Sequence, residues 1–254
     1  MEHTKRNIDL FVFYTKTQDT KKILNNGADG VIIDWEMKNK SLRQALFDTQ
    51  INMHSINDLK DMRAETNSKI ICRINRFSEI DDQEIEESIN KGTDELLLPM
   101  VQTAREVEII LKKINGRCPL GILLETDESI KRAKDLSTLP LSRVYIGLND
   151  LAIDRRYGSI FEPVFNGVIQ EIRPLFKTDF GFGGLTMPSL GSPVPCRILL
   201  NEIKKHNCTF AFLRRSFFRD SQIVDSSIII SEIRKEFAKP AFNYKPGFDY
   251  KKFL

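Results

Sequence analysis

Two acidic residues stand at positions where they could hold a metal ion. Glu125 directly follows the apolar run GILL, and Asp150 follows the run VYIG by three residues. If these runs are neighbouring strands of a parallel sheet, both carboxylates point toward the same edge of that sheet. Two carboxylates, completed by waters and substrate oxygens, are typical ligands of Mg²⁺ or Mn²⁺. The alternative is that both acids form salt bridges or cap the helices that follow.

Arg73 ends the apolar run KIICR and could bind the carboxylate of a substrate. A guanidinium at the end of a buried strand needs an anion, because its desolvation is otherwise costly. Its planar fork suits a carboxylate held through two hydrogen bonds. Asp34 and Glu36, at the end of the preceding run, and Asn149, beside Asp150, are further candidates for substrate binding. The alternative for Arg73 is a structural ion pair with Asp34 or Glu36.

A histidine is available as a proton-transfer group. His54 lies in the irregular segment between Lys38 and Ile56, which we interpret as an excursion at the rim of the fold. A loop histidine near a metal-bound substrate has a pKa suited to general-base catalysis. The alternative is an exposed or helix-capping imidazole.

A second anion site is suggested near the end of the chain. The motif GFGG contributes Gly181, Gly183 and Gly184, and Arg214 and Arg215 follow the last apolar run. The seventh and eighth loops of many barrels bind phosphate, so a phosphorylated or CoA-bearing substrate would fit here. Alternatively, the glycines serve close packing of a strand, and the arginines lie in solvent or at subunit contacts.

The elements that would position these residues alternate between strands and helices. Eight short apolar runs are separated by stretches with helical periodicity, the pattern of a parallel α/β fold. The runs are DLFVFY, GVIID, KIICRI, ELLLPM, LGILLE, RVYIG, DFGFGG and TFAFLR, and EPVFNGVIQEIRPLF is one of the predicted connecting helices. We therefore predict a single (β/α)8 barrel over residues 1–254, with an aromatic tail at 239–254 that packs on a neighbouring subunit.

Composition narrows the class of protein. The 254 residues are 41% hydrophobic and 29% charged, and the net charge of +3 is too small and too scattered to indicate nucleic-acid binding. No run reaches the length of a signal or membrane-spanning segment, so we expect a cytoplasmic protein. The four cysteines form no CxxC pair and are predicted to be buried thiols rather than zinc ligands.

Several blocks, in the same order, resemble the HpcH/HpaI-type aldolase and citrate lyase β-subunit family. The blocks span roughly residues 27 to 160 and are GADGVIIDWE, ICRIN, DELLLPMVQTAREVE, GILLET and VYIGLNDLA. The resemblance implies a metal-dependent barrel in which Glu125 and Asp150 bind Mg²⁺ or a similar cation, and Arg73 contacts a bound 2-oxo acid or related carboxylate. Cleavage of a carbon–carbon bond in such a substrate leaves an enolate, whose charge the cation and the guanidinium would stabilise. Oligomerisation, in the form of a homo-oligomer, is also implied.

Two positions depart from the aldolase branch of that family. Met37 stands where the aldolases carry a histidine, and Asn90 stands where they carry an acid that helps to activate the base. Neither side chain can take up a proton, which argues against the simplest aldolase mechanism. The citrate lyase branch also lacks the histidine, so its absence does not indicate an inactive protein. Despite these departures, the resemblance implies a Mg²⁺- or Mn²⁺-dependent carbon–carbon lyase that acts on a 2-oxo acid or a related carboxylate. The alternatives are a barrel that binds a metal and a carboxylate without turnover, and a lyase acting on an acyl-CoA thioester.

Overall fold

A computed structural model describes residues 8–36, 54–244 and 249–253. Met37 and most of the predicted rim excursion between Lys38 and Ile56 lie outside the described residues. The strand and helix labels below follow chain order within the described ranges.

The strands form one parallel sheet that curves into a nearly closed barrel. Its strands are β1 (Asp9–Phe13), β2 (Gly30–Asp34), β3 (Lys69–Arg73), β4 (Glu95–Leu98), β5 (Leu120–Leu124), β6 (Arg143–Ile146), β7 (Asp179–Phe182), β8 (Gly184–Leu185) and β9 (Phe210–Leu213). The order is β7-β6-β5-β4-β3-β2-β1-β9-β8, and all the pairings are parallel. The backbone N–H of Thr209 donates to the carbonyl of Phe180 at 2.9 Å and so links β9 to β7. The predicted (β/α)8 barrel is confirmed.

The run DFGFGG forms two strand segments rather than the single strand we predicted. Gly183 separates β7 from β8 and has a φ of 67°, a left-handed conformation that favours glycine. The seventh strand is therefore broken, and its short second segment pairs with β9. At Gly181, a Cβ atom would lie 2.4 Å from the carbonyl oxygen of Phe210, so glycine permits the approach that closes the barrel.

Helices connect the strands on the outside of the barrel. They are α1 (Thr17–Asn25), α2 (Ile56–Glu65), α3 (Asp82–Asn90), α4 (Ala104–Ile114), α5 (Asp127–Lys131), α6 (Ala133–Leu136), α7 (Leu148–Asp154), α8 (Glu162–Phe165), α9 (Val168–Ile172), α10 (Cys196–Lys205), α11 (Arg215–Asp220) and α12 (Ser226–Ala238). The stretch EPVFNGVIQEIRPLF is not one helix, because Gly167 has a φ of 97° and separates α8 from α9. No helix in the described ranges is long and apolar enough to cross a membrane.

Two apolar layers hold the barrel together. The larger layer lies between strands and helices, and the smaller fills the barrel interior. The interior layer consists of Phe11, Ile32, Ile71, Leu97, Leu123, Tyr145, Phe210 and Phe212. Because side chains alternate along a strand, β1–β6 and β9 supply both layers, whereas β7 and β8 supply only the larger one. The four cysteines are buried free thiols, as predicted.

The described part of the aromatic tail contacts its own barrel. Asn201 on α10 donates to the carbonyl of Phe242 at 3.0 Å and accepts from its N–H at 2.9 Å. The Tyr244 hydroxyl donates to Glu202 on the same helix. The predicted contact of this tail with a neighbouring subunit stays a prediction.

Candidate functional site

A cavity of about 440 Å³ opens at the carboxyl ends of the strands. This end of a (β/α)8 barrel carries the active site in characterised enzymes of the fold. The cavity is lined by several of the candidate residues, namely Arg73, Glu125, Asn149, Asp150, Gly184 and Arg214. Asp34, Glu36 and His54 do not line it.

Glu125 stands directly after β5 and is 3% exposed. Its Oε1 accepts a hydrogen bond from the backbone N–H of Met100 at 2.8 Å, and Met100 adopts a left-handed φ of 53°. Its Oε2 lies against Gly147, where a Cβ atom would come within 2.3 Å. The Met100 N–H therefore holds one carboxylate oxygen in place. The other oxygen fits against Gly147 because this residue has no side chain.

Asp150 lies in the first turn of α7, directly after β6. Gly147 precedes this helix, whose first three residues are Leu148, Asn149 and Asp150. The first turn of the helix brings both Asn149 and Asp150 to the cavity wall beside Glu125. Carboxylates from two consecutive strands thus reach one cavity.

The electrostatics of Glu125 reflect the acids around it. Burial and the negative charges of Asp150 and Glu36 raise the pKa of Glu125 to about 8, although the charge of Arg73 and the Met100 N–H oppose the rise. A buried carboxylate beside like charges favours the neutral form unless a cation joins it. The donor set consists of carboxylate oxygens in a cavity, which is the chemistry that Mg²⁺ and Mn²⁺ prefer. The residues therefore fit a hard divalent cation.

The protein supplies few ligands for such a cation. Among residues 8–36, 54–244 and 249–253, no group of three or more His, Cys, Asp or Glu side chains is arranged to hold a metal ion. A cation between Glu125 and Asp150 would complete its coordination with water and substrate oxygens, as Mg²⁺ commonly does.

Arg73 is held by the two acids that end and follow β2. Asp34 is its register partner across β2 and β3, and the Arg73 Nε and Nη2 atoms donate to the Asp34 carboxylate at 2.9 and 2.7 Å. The Nη1 atom lies 3.4 Å from Glu36. Burial opposes the charged form of Arg73, but these two acids raise its pKa above the usual value.

These two acids lie behind Arg73 rather than in the cavity lining. Asp34 and Glu36 are buried and form ion pairs with Arg73, and their expected contact with a substrate stays a prediction. Arg73 itself is 13% exposed and lines the cavity. Arg73 therefore forms the structural ion pair and also faces the cavity, although the sequence offered the ion pair as an alternative to a position in the site.

His54, the expected base, lies at the end of β2 and not in the cavity lining. Its Nδ1 accepts the backbone N–H of Asp34 at 2.9 Å, and its ring packs edge-on against Tyr14. The imidazole is buried just before α2 and outside the cavity lining. His54 therefore contacts the end of β2 through the Asp34 N–H, and its role as the base stays a prediction.

The second departure from the aldolase pattern lies far from the cavity. Asn90 is the last residue of α3, and the helix after a barrel strand runs back toward the amino ends of the strands. Asn90 does not line the cavity. Met37 lies outside the described residues. The identity of residue 90 therefore has no direct bearing on the cavity.

Three residues of the site were missed by sequence reasoning. Met100 fixes Glu125 through its N–H, Gly147 makes room for it, and Ser216 joins Arg214 in the cavity wall. Gly147 carried a usable signal, since a glycine between a strand and a helix often marks a close backbone approach. The left-handed conformation of Met100 has no counterpart in the sequence pattern.

The fold is similar to solved structures of HpcH/HpaI aldolases. One from Desulfitobacterium hafniense DCB-2 aligns with a TM-score of 0.63 and 11% identity, over 94% of this chain and 96% of the other. An HpcH/HpaI aldolase/citrate lyase family protein from Burkholderia cenocepacia J2315 aligns with a TM-score of 0.61 and 10% identity, over 89% and 96%. RipC from Yersinia pestis aligns with a TM-score of 0.59 and 16% identity, over 93% and 98%.

The TM-scores and the high coverage of both chains establish a shared fold. The resemblance first seen in blocks between residues 27 and 160 is thus confirmed at the level of the whole barrel. No protein-family model and no curated protein matches the sequence.

Proposed function

We propose that this protein is a divalent-metal-dependent carbon–carbon lyase that acts on a 2-oxo acid or a related carboxylate. The observation that carries the proposal is that Glu125 and Asp150, from consecutive strands, line one cavity together with Arg73. Glu125 and Asp150 would hold Mg²⁺ or Mn²⁺. The metal would act as a Lewis acid that stabilises negative charge developing on the substrate oxygen as the bond breaks.

The protein's own groups would bind and orient the substrate. The Arg73 guanidinium, fixed by Asp34 and Glu36, would face the substrate carboxylate and the charge that develops next to it. Glu125 is fixed by the Met100 N–H, so the donor atoms would be in position before the substrate arrives. The fold shared with HpcH/HpaI aldolases supports this class of reaction.

One observation favours a second candidate function, binding of a metal and a carboxylate without turnover. Among the described residues that line the cavity there is no histidine and no lysine. General-base catalysis commonly uses such a group, so the cavity could retain ligand affinity without a proton acceptor of this kind. We further propose that the protein forms a homo-oligomer and works on small molecules in the cytoplasm.

Exchange of the methyl protons of pyruvate for deuterium tests the proposal. We expect the protein to accelerate this exchange in heavy water with Mg²⁺, and to lose the acceleration when a chelator is added. Glu125→Gln should reduce the exchange rate by roughly 100-fold, because it removes a charged metal ligand at the reacting centre. Arg73→Lys should also reduce it, since Lys lacks the planar fork.

Glu128→Gln provides the matched control. The change is chemically identical, and Glu128 lies three residues further along, on α5, where it pairs with Arg132 outside the cavity. This variant should keep the wild-type rate. A melting temperature that rises with Mg²⁺, without exchange of pyruvate protons or decarboxylation of oxaloacetate, would favour binding without turnover. If no divalent cation raises the melting temperature, the metal site and the lyase proposal are both wrong.

A further inference from the structure

Arg214 differs from Arg73, which lines the same cavity, and from Arg143, which is buried at the opposite ends of the strands. Arg73 donates from Nε and Nη2 to Asp34, and Arg143 donates from the same two atoms to Glu95. Arg214 lines the cavity, yet its Nε and Nη2 are buried and have no hydrogen-bond partner among the described residues. Its charge thus lacks the bidentate carboxylate that the other two possess.

The acid near Arg214 is engaged elsewhere. Asp220 accepts a hydrogen bond from the Thr186 hydroxyl and lies 3.7 Å from Arg219. Burial lowers the pKa of Arg214, and the charge of Asp220 opposes this only in part. A buried cation without a hydrogen-bonded anion is costly, so a ligand that supplies an anion would be favoured here.

Two glycines make room for the Arg214 side chain. A Cβ atom at Gly184 would lie 2.5 Å from the Cβ of Arg214, and one at Gly191 would lie 2.3 Å from its Nη2. Gly191 also has a φ of 111°, which favours glycine. The backbone on both sides is therefore shaped to admit a large cationic side chain at this wall.

A hydroxyl group accompanies the guanidinium. Ser216 lines the same cavity, and its Oγ is buried without a hydrogen-bond partner in the described part of the chain. A guanidinium and a hydroxyl are the donors that commonly bind carboxylate or phosphate oxygens. Two polar groups without partners thus occur two residues apart, at one wall of the cavity.

We propose that Arg214 and Ser216 bind a second oxyanion of the substrate, a carboxylate or a phosphate, at the end distant from its 2-oxo acid group. The inference rests on the proposed function for the location of that 2-oxo acid, beside Glu125 and Arg73. The acids follow β5 and β6, whereas Arg214 follows β9, and the split seventh strand lies between them. The preferred substrate is then a dianion rather than a simple 2-oxo acid such as pyruvate.

Binding measured by calorimetry with Mg²⁺ tests the proposal, with pyruvate, 2-oxoglutarate and inorganic phosphate as probes. If the second group is a carboxylate, 2-oxoglutarate should bind at least about tenfold more tightly than pyruvate. If it is a phosphate, inorganic phosphate should bind while 2-oxoglutarate shows no advantage. In either case Arg214→Gln should weaken the binding of 2-oxoglutarate or phosphate at least about tenfold more than that of pyruvate.

Arg219→Gln is the matched control, because Arg219 lies on α11, the helix that directly follows Arg214, and its side chain is 76% exposed. It should keep the wild-type preferences. A structural role for Arg214 would lower the melting temperature of Arg214→Gln, whereas we expect it unchanged or higher, since a buried charge is removed. Equal affinities of wild type and Arg214→Gln for all three probes would overturn the proposal.

The same measurements separate this inference from the lyase proposal. If pyruvate neither binds nor exchanges its protons, but phosphate or 2-oxoglutarate binds in a manner that requires Arg214, the oxyanion site stands and the lyase proposal fails. If pyruvate exchanges its protons and Arg214→Gln changes no affinity, the lyase proposal stands and the oxyanion site fails.

Discussion

The barrel contains two buried groups of charges whose acids have opposite pKa shifts: a lower group around Glu95, at the amino ends of the strands, and an upper group around Glu125, at the carboxyl ends. In the lower group, Glu95 is fully buried, accepts hydrogen bonds from Arg143 at 3.0 and 3.2 Å and lies 2.7 Å from Lys69. Burial alone would raise the pKa of Glu95, but those two cations hold it below its usual value. At the carboxyl ends, burial and neighbouring acids instead raise the pKa of Glu125 to about 8.

The difference shows which end is complete within the chain. The Arg143 guanidinium packs over the rings of Phe11 and Phe210, at 4.6 and 4.2 Å from their centroids. Together with the Glu95 ion pair, it fills the barrel interior at the amino ends of the strands. A paired buried charge of this kind needs no ligand. Glu125, by contrast, faces a cavity and would gain from a cation. In the lower group, cations compensate the buried acid, whereas in the upper group acids are in excess. This is the difference expected between a structural ion pair and a ligand-binding site.

The largest effect is expected from Glu95→Gln. The variant leaves the buried Arg143 without its counter-charge, which should lower the free energy of unfolding by about 3–5 kcal/mol at pH 7. Urea denaturation measures this loss. Since the folded pKa of Glu95 is lowered, its stabilisation is present above the ordinary value of 4.5 and is lost as the pH falls through the folded pKa. The difference between wild type and variant should therefore shrink in acid.

Glu86→Gln is the control for that prediction. Glu86 pairs with Arg117 at the surface, where both side chains are at least 40% exposed. Exposed pairs contribute about 0–1 kcal/mol, so this variant should unfold almost like the wild type. A loss for Glu95→Gln no larger than that of Glu86→Gln would show that the lower group is not a structural ion pair.

Glu125→Gln should raise the free energy of unfolding of the metal-free protein, whereas Glu95→Gln should lower it. The folded pKa is raised from 4.5 to about 8, so the folded state keeps a proton that the unfolded state releases, and stability falls as the pH rises through that range. At about 1.4 kcal/mol per pKa unit, ionising Glu125 would cost the wild type at most roughly 5 kcal/mol of stability. We expect the variant to unfold with a free energy about 2 kcal/mol higher than the wild type at pH 8. The Gln oxygen can still accept the Met100 N–H.

Denaturation with a chelator at pH 4.5 and at pH 8 measures that gain. Wild type and Glu125→Gln should differ little in stability at the lower pH, where the wild-type carboxyl is protonated in the folded state and about half protonated in the unfolded state. A variant less stable than wild type at pH 8 would mean that Glu125 is compensated within the chain, as Glu95 is.

Much of this architecture was predictable because it is local in the sequence. Strands appear as short apolar runs, and Arg73 and Glu125 end or directly follow such runs. Parallel strands in sequential order bring those ends together, so the set of candidate residues at one end followed from the fold class. The break at Gly167 was also readable, since Asn-Gly is a turn signal.

The partners of these residues were predictable only in part, because they depend on register and packing. The sequence offered Asp34 or Glu36 as the partner of Arg73, and the register of β2 on β3 places Asp34 directly opposite it. His54 lies in a loop segment, and only the folded chain shows that its imidazole accepts the Asp34 N–H rather than facing the cavity. The unpartnered state of Arg214 likewise depends on the loop around Gly191.

Gly147→Ala should have the smallest effect on stability, and it tests the upper group by shape alone. Gly147 has a φ of −79°, so alanine suits the backbone, but its Cβ would lie 2.3 Å from the Oε2 of Glu125. Displacing that carboxylate should cost about 1–2 kcal/mol in unfolding free energy. It should also weaken Mg²⁺ binding, measured by calorimetry, by at least about tenfold. Gly158→Ala, where nothing lies within 4 Å of the new Cβ, should change neither quantity. Unaltered Mg²⁺ affinity in Gly147→Ala would mean that the cation does not bind at Glu125.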